Sequence, residues 1–185
     1  VLSKRLAATG RKSLDIDANL DRRFADAHPD HAAQRDYLRS EVARALRGHF
    51  GQQDPVRFEL VAVKVEPNPK QGHPRGWTAF LVTISVKDFT KIGVRGLPSL
   101  TVDVAAPEVL EADSVAPLCV GTHEVSAYTL QRLAGEKLRA FLTSLPAYRR
   151  KLARPGESVR AKDLYDLACI ERERPLTDRA FWKAA

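Results

Sequence analysis

Cysteine is nearly missing from the 185 residues: Cys119 and Cys169 are the only two, far apart and without C-x-x-C spacing. That excludes a disulfide framework and a zinc knuckle. The pair reads as two buried thiols in a reducing compartment. Also lacking is any apolar run near the roughly 18 residues that a membrane helix needs, or a charged-then-apolar leader. The chain therefore reads as soluble and cytoplasmic, with no membrane partner. There is no internal repeat or low-complexity tract. Ser126 and Ser144 have no nearby His and Asp, so a hydrolase triad has no support. His28-Pro29-Asp30-His31 has H-x-x-H spacing, but Pro29 breaks the helix that would align the imidazoles, so it reads as a surface loop.

What is present is an ordinary globular balance, 44% hydrophobic and 29% charged. It suits one domain, or a core domain with a helical appendage. The net charge is +7, and it is confined. Residues 129–162 hold nine Lys and Arg against only Glu136 and Glu157, which is the entire excess. A basic segment of this kind makes a local positive field suited to phosphates, or else a solvated helix face.

The first residues, Val1 to Ala8, read as a helix without a preceding cap, so upstream sequence is expected. A short strand follows, Ser13 to Leu20. His31 to Phe50 is helical, with Leu38, Val42, Ala45, Leu46 and Phe50 at helical spacing. Val56 to Glu66 and Trp77 to Lys87 are strand-like and joined by a turn-forming stretch rich in Pro, Gly and Asn, which predicts a hairpin. Further strands are expected over Leu100 to Ala105 and His123 to Tyr128. From Thr129 the pattern is helical: Thr129–Leu145, Val159–Glu171 and Asp178–Trp182. The order predicts an α+β fold, a sheet core over residues 1–128 and a helical lobe over 129–185.

The sharpest chemical feature is Ser13-Leu14-Asp15-Ile16-Asp17. On a strand, Asp15 and Asp17 project from one face while Leu14 and Ile16 point the other way. Two such carboxylates repel unless a cation sits between them, and magnesium prefers these hard oxygen ligands. A solvated strand edge would give the same pattern. Asp103 is a lone acid within the apolar run Leu100-Thr101-Val102-Asp103-Val104-Ala105, where it lies on a solvated face, pairs with a base, or joins the other two acids around metal. Three carboxylates on neighbouring strands match two-metal phosphoryl transfer. On the Thr129–Leu145 helix, Lys137 falls inside the apolar stripe at 100° per residue, where it either snorkels or meets an anion such as a phosphate. Asp163 sits at the margin of the next apolar face, with Lys162 before it and Asp166 one turn on; a helix-start acid complementing the macrodipole is the alternative. Trp77 reads as core, with base stacking as the other option.

The blocks Val1-Leu2-Ser3-Lys4-Arg5 with Arg11-Lys12-Ser13-Leu14-Asp15-Ile16-Asp17, and Glu136-Lys137-Leu138-Arg139-Ala140 with Arg160-Ala161-Lys162-Asp163-Leu164-Tyr165-Asp166-Leu167, together resemble the AbiEii/AbiGii family of nucleotidyltransferase toxins. The order of the blocks agrees, with Asp103 where the family has its third strand acid. The resemblance covers nearly the whole chain. It implies a mixed sheet flanked by helices and a helical C-terminal portion. It further implies Asp15, Asp17 and Asp103 as catalytic and metal-binding residues for Mg2+ or Mn2+, with Asp103 as third ligand or base. Ser3, Lys4, Lys137 and Asp163 would serve nucleotide and phosphate binding, with Asp163 holding the lysine or the nucleotide. The family's glycine pair is absent from this sequence, and it is expected just upstream of Val1. A second departure is the basic insertion Ala147–Ser158, where Arg149, Arg150, Lys151 and Arg154 would meet RNA backbone. The implied activity is transfer of a nucleoside monophosphate from an NTP to RNA, such as tRNA, by a toxin with a cognate antitoxin. A non-catalytic nucleotide- or RNA-binding module that keeps the fold is the alternative.

Overall fold

A computed structural model describes residues 16–68, 78–91, 93, 97–151 and 159–183, without the side chains of Lys151 and Lys183. The helix expected over Val1 to Ala8 lies outside them. The chain divides into two units, one of residues 14–109 and one from Leu110 onward.

The first unit is a four-stranded sheet with one long helix on it. Its strands are β1 (Ile16–Asp21), β2 (Phe58–Pro67), β3 (Phe80–Asp88) and β4 (Leu100–Glu108), in the order β1-β4-β3-β2. The expected hairpin is present, since β2 and β3 pair antiparallel. β3 and β4 are also antiparallel, whereas β1 joins β4 in parallel. Between β1 and β2 run α1 (Arg22–Ala27) and α2 (His31–Gly51). Asp30 caps α2, its carboxylate accepting the Ala33 N–H at 2.9 Å. That satisfies one of the donors that every helix start leaves open.

Alternation along the strands divides the sheet into two faces. Val65, Phe80, Val82, Ile84 and Val104 share one face and form a buried core with Leu38, Val42 and Leu46 of α2. Those three helix residues are spaced i, i+4, i+8, a single apolar stripe. The other face carries the polar set, including Asp17, Asp103, Thr83 and Thr101. Near the end of β4 the register with β1 shifts between Asn19 and Asp21. Pro107, fully buried, falls in this irregularity, where a residue without an N–H is tolerated.

The second unit begins with a hairpin of β5 (Val115–Val120) and β6 (His123–Tyr128). Gly121, at φ +62°, starts its two-residue turn, a conformation that glycine adopts without strain. Helices α3 (Leu130–Ser144), α4 (Pro146–Lys151), α5 (Ala161–Glu173) and α6 (Arg179–Lys183) follow. Their core is Ala134, Leu167, Cys169, Ile170 and Phe181, with Leu130, Leu138, Leu176 and Trp182 packed against it. The fold is thus α+β, with a mixed sheet, a separate hairpin and helices. Among the described residues no helix is long and apolar enough to cross a membrane.

One expectation about the thiols is corrected: Cys169 is buried, but Cys119 is exposed. It lies opposite Glu124 in the hairpin.

Candidate active site

Asp17 of β1 and Asp103 of β4 are direct register partners. Paired residues on neighbouring strands project from the same face, so the sheet sets the two carboxylates side by side. Parallel pairing of β1 with β4 is what does this. A one-residue slip would send one of the acids to the core face. Asp17 is exposed and Asp103 half-buried. The Asp103 register neighbour on the other side is Leu81 of β3.

Asp103 has one further polar partner. The Asn68 side-chain amide donates to Asp103 Oδ1 at 3.0 Å. Asn68 is held in turn, since its backbone N–H donates to the Ala79 carbonyl at 2.7 Å. On the same two strands, Asn19 Nδ2 donates to Glu108 Oε1 at 2.6 Å. The surface beside the acid pair is therefore built from carboxylates and amides. Asp15, the third expected acid, lies outside the described residues, as do Ser3 and Lys4. Among the described residues, no group of three His, Cys, Asp or Glu side chains stands close enough to hold a metal ion. The described part of the acid set is the Asp17–Asp103 pair. Its chemistry fits magnesium: carboxylate oxygens, no sulfur or imidazole, and enough exposure for water and substrate oxygens to complete the shell.

A second cluster lies within the helical unit. Lys137 of α3 reaches Asp163 Oδ1 at 3.1 Å and Asp166 Oδ2 at 2.9 Å, both on α5. Arg160 closes on the other oxygen of Asp163. Asp163 is 0% and Asp166 2% exposed, while the Lys137 side chain keeps 25% of its surface. Burial pushes the Asp163 carboxyl up, but hydrogen bonds from Arg160 and Lys137 outweigh it and hold the group below the usual aspartate range. Among the described residues, Lys137 and the half-exposed Arg160 supply the positive charge that faces the buried carboxylates. The start of α5 is tied to the end of α3 as well. Buried Ser144 donates to the Phe141 carbonyl at 2.6 Å and accepts the Arg160 backbone N–H at 3.0 Å.

Of the expected RNA-binding residues, Arg149 and Arg150 lie on α4, half-buried and exposed respectively. The Lys151 backbone ends α4, its side chain is outside the description, and Arg154 lies outside it altogether. Trp77 does too.

Four contributors to these clusters were not among the expected site residues. Asp166 was the most discoverable, because it falls three residues after Asp163 on the same helix face. Arg160 precedes Asp163 by the same interval, a spacing too common in basic segments to single it out. Ser144 and Asn68 act across chain breaks in regularity and leave no periodic sign.

A family model described as nucleotidyl transferase AbiEii toxin, type IV toxin–antitoxin system, matches residues 1–185. No curated protein and no solved structure matches the chain significantly.

Proposed function

Since the chain belongs to the AbiEii family of nucleotidyltransferase toxins of type IV toxin–antitoxin systems, we propose that it moves a nucleoside monophosphate from an NTP onto an RNA acceptor, such as tRNA, in the cytoplasm. The observation that carries the chemistry is the register pairing of Asp17 with Asp103 on an exposed sheet face. In such a reaction the acceptor hydroxyl forms a bond to the α-phosphorus, the bond to the bridging oxygen breaks, and pyrophosphate leaves. Asp15, Asp17 and Asp103 would hold Mg2+ or Mn2+. That ion, when bound, supplies positive charge to the triphosphate and makes the attacking hydroxyl more acidic.

The protein's own part is placement. Asp17 and Asp103 sit on adjacent strands, so their separation is fixed by the sheet rather than by a loop, and little reorganisation remains at the moment of reaction. Asp103 serves as ligand or as the base that takes the hydroxyl proton. Asn68 steadies one of its oxygens, which leaves the other for that task. Lys137 is assigned to a nucleotide phosphate. Asp163 and Asp166 engage it through two contacts, and an ammonium has three N–H groups to give. Asp163 is thereby a positioning residue for the lysine. A cognate antitoxin is the expected partner of the toxin.

The test uses the full protein with magnesium, labelled NTPs and bulk tRNA. Label should pass to RNA, and Asp17→Ala or Asp103→Ala should each abolish transfer while the fold survives by circular dichroism. Asn68→Ala should retain activity at about a tenth of the parent level, the scale on which groups orienting a metal ligand act. Undiminished labelling by the Asp17 variant would overturn the acid assignment. Binding of NTP and RNA without any joining would instead favour the non-catalytic module.

A further inference from the structure

The helix that covers the sheet has a basic outer flank. Arg39, Ser40, Ala43, Arg44 and Arg47 of α2, together with Leu60 and Val63 of β2, line an open groove of about 500 Å3. Arg39, Ala43 and Arg47 recur every fourth residue, so they form one row along the helix, with Ser40 and Arg44 beside it. β2 is the outermost strand of the sheet, which makes the groove a channel between a helix and a sheet edge. Its floor is apolar and its rim is guanidinium.

The anionic neighbours on the helix are Asp36 and Glu41. Arg39 meets Asp36 at 3.4 Å, a carboxylate that Arg35 also meets, at 3.3 Å. Arg44 meets Glu41 at 2.6 Å. Both arginines are well exposed, at 55% and 74%. Exposed pairs of this kind hold each other weakly and exchange readily for a stronger anion. Among the described residues no carboxylate pairs with Arg47. The guanidinium fork matches phosphate oxygens in a two-point contact, and three forks lining one groove, two in a row and Arg44 beside them, suit an extended chain of phosphates better than one isolated anion.

An acidic peptide added to the β2 edge would also satisfy the arginines, but the edge is poorly made for strand addition. The pairing of β2 with β3 shifts register between Leu60 and Ala62, a bulge beside the groove, and the strand ends at Pro67. Bulges and proline are the usual means by which an edge avoids pairing with another strand.

We propose that this groove binds the phosphate backbone of single-stranded RNA, giving the sheet unit its own acceptor contact apart from the basic segment of the helical unit. The inference rests on the reading above that the acceptor is RNA. A row of arginines that touches backbone and no base edge gives affinity without sequence preference.

The test is equilibrium binding of a short labelled single-stranded RNA by the full protein and by the Arg39→Ala, Arg44→Ala, Arg47→Ala triple variant over a range of salt. The variant should bind at least about tenfold more weakly, and its log-affinity against log-salt slope should be shallower by about two, for three lost phosphate contacts. NTP binding and the thermal midpoint serve as controls and should not move. An unchanged affinity and slope would overturn the groove. So would a poly-glutamate peptide that binds the parent through these arginines while RNA does not. Transfer activity is read separately. A parent protein that binds RNA through the groove but never labels it defeats the enzyme reading alone, and a triple variant that binds and labels RNA like the parent defeats the groove alone.

Discussion

Asp163 is an ionised acid with no exposed surface, and its stability depends on what Lys137 and Arg160 provide. Removing one partner of a buried ionic cluster leaves a charge uncompensated, which costs more than the cluster contributes as a whole. Lys137→Met should therefore destabilise the protein by about 3 kcal/mol in a denaturant titration, even though methionine fills a similar volume. Asp163→Asn should cost less, because Lys137 keeps its ion pair with Asp166 and Arg160, 47% exposed, stays solvated, so neither cation is stranded. The acid side of the stability profile gives a second readout. The folded-state pKa of Asp163 is held below its ordinary value, so its contribution is fully present above the unfolded pKa of about 3.9 and is lost as pH falls through the lower, folded value. As pH falls below about 4 the parent should lose stability more steeply than Asp163→Asn. Equal slopes would mean that the carboxyl is not ionised in the folded state.

Capping and periodicity operate one level up, on whole elements. α2 runs for 21 residues and is both the lid of the sheet core and the carrier of the arginine row, so its start matters to both. Asp30→Ala should lower stability by about 1 kcal/mol, measured by thermal or chemical unfolding, since it opens one donor at the first turn. Elements of this length were legible in the sequence. The expected helix over His31 to Phe50 and the hairpin of Val56–Glu66 with Trp77–Lys87 correspond to α2 and to β2 with β3, because their apolar periods extend over several turns or repeats. Three short elements were not legible. α1 and α4 are six residues each, too short to show a helical period. β5 contains Pro117, which makes a run of its length read as a loop. The acids were visible as types of residue on strands, but their pairing was not. Parallel contact between strands so distant along the chain has no local signature, and only the blocks around them suggested it. Buried Asp166 and its bond to Lys137 depended on helix packing that no single periodicity encodes.

At the scale of the whole molecule, each unit has its own core, one on the sheet and one among the helices. The charge is divided in the same way, with the net excess of the chain lying in residues 129–162. Arg149→Ala with Arg150→Ala should therefore weaken RNA binding and flatten its salt dependence by one to two units, roughly 0.7 for each lost contact to a single strand. NTP binding should be preserved, and equal salt slopes for parent and variant would remove α4 from the RNA surface. The sheet has one more property, and it concerns time. β2 and β3 are neighbours in the chain and can zip from their turn, and α2 can wind from its cap. β1 can pair only when β4 arrives, after the whole stretch from Asp17 to Asp103 has been closed into a loop, a slow kind of contact to form. During synthesis, a chain that stops short of Leu100 holds Asp17 on a strand without its neighbour. The acid pair of this toxin is thus a late product of its own folding, and the nascent protein carries no complete pair until the ribosome has moved well past Asp103.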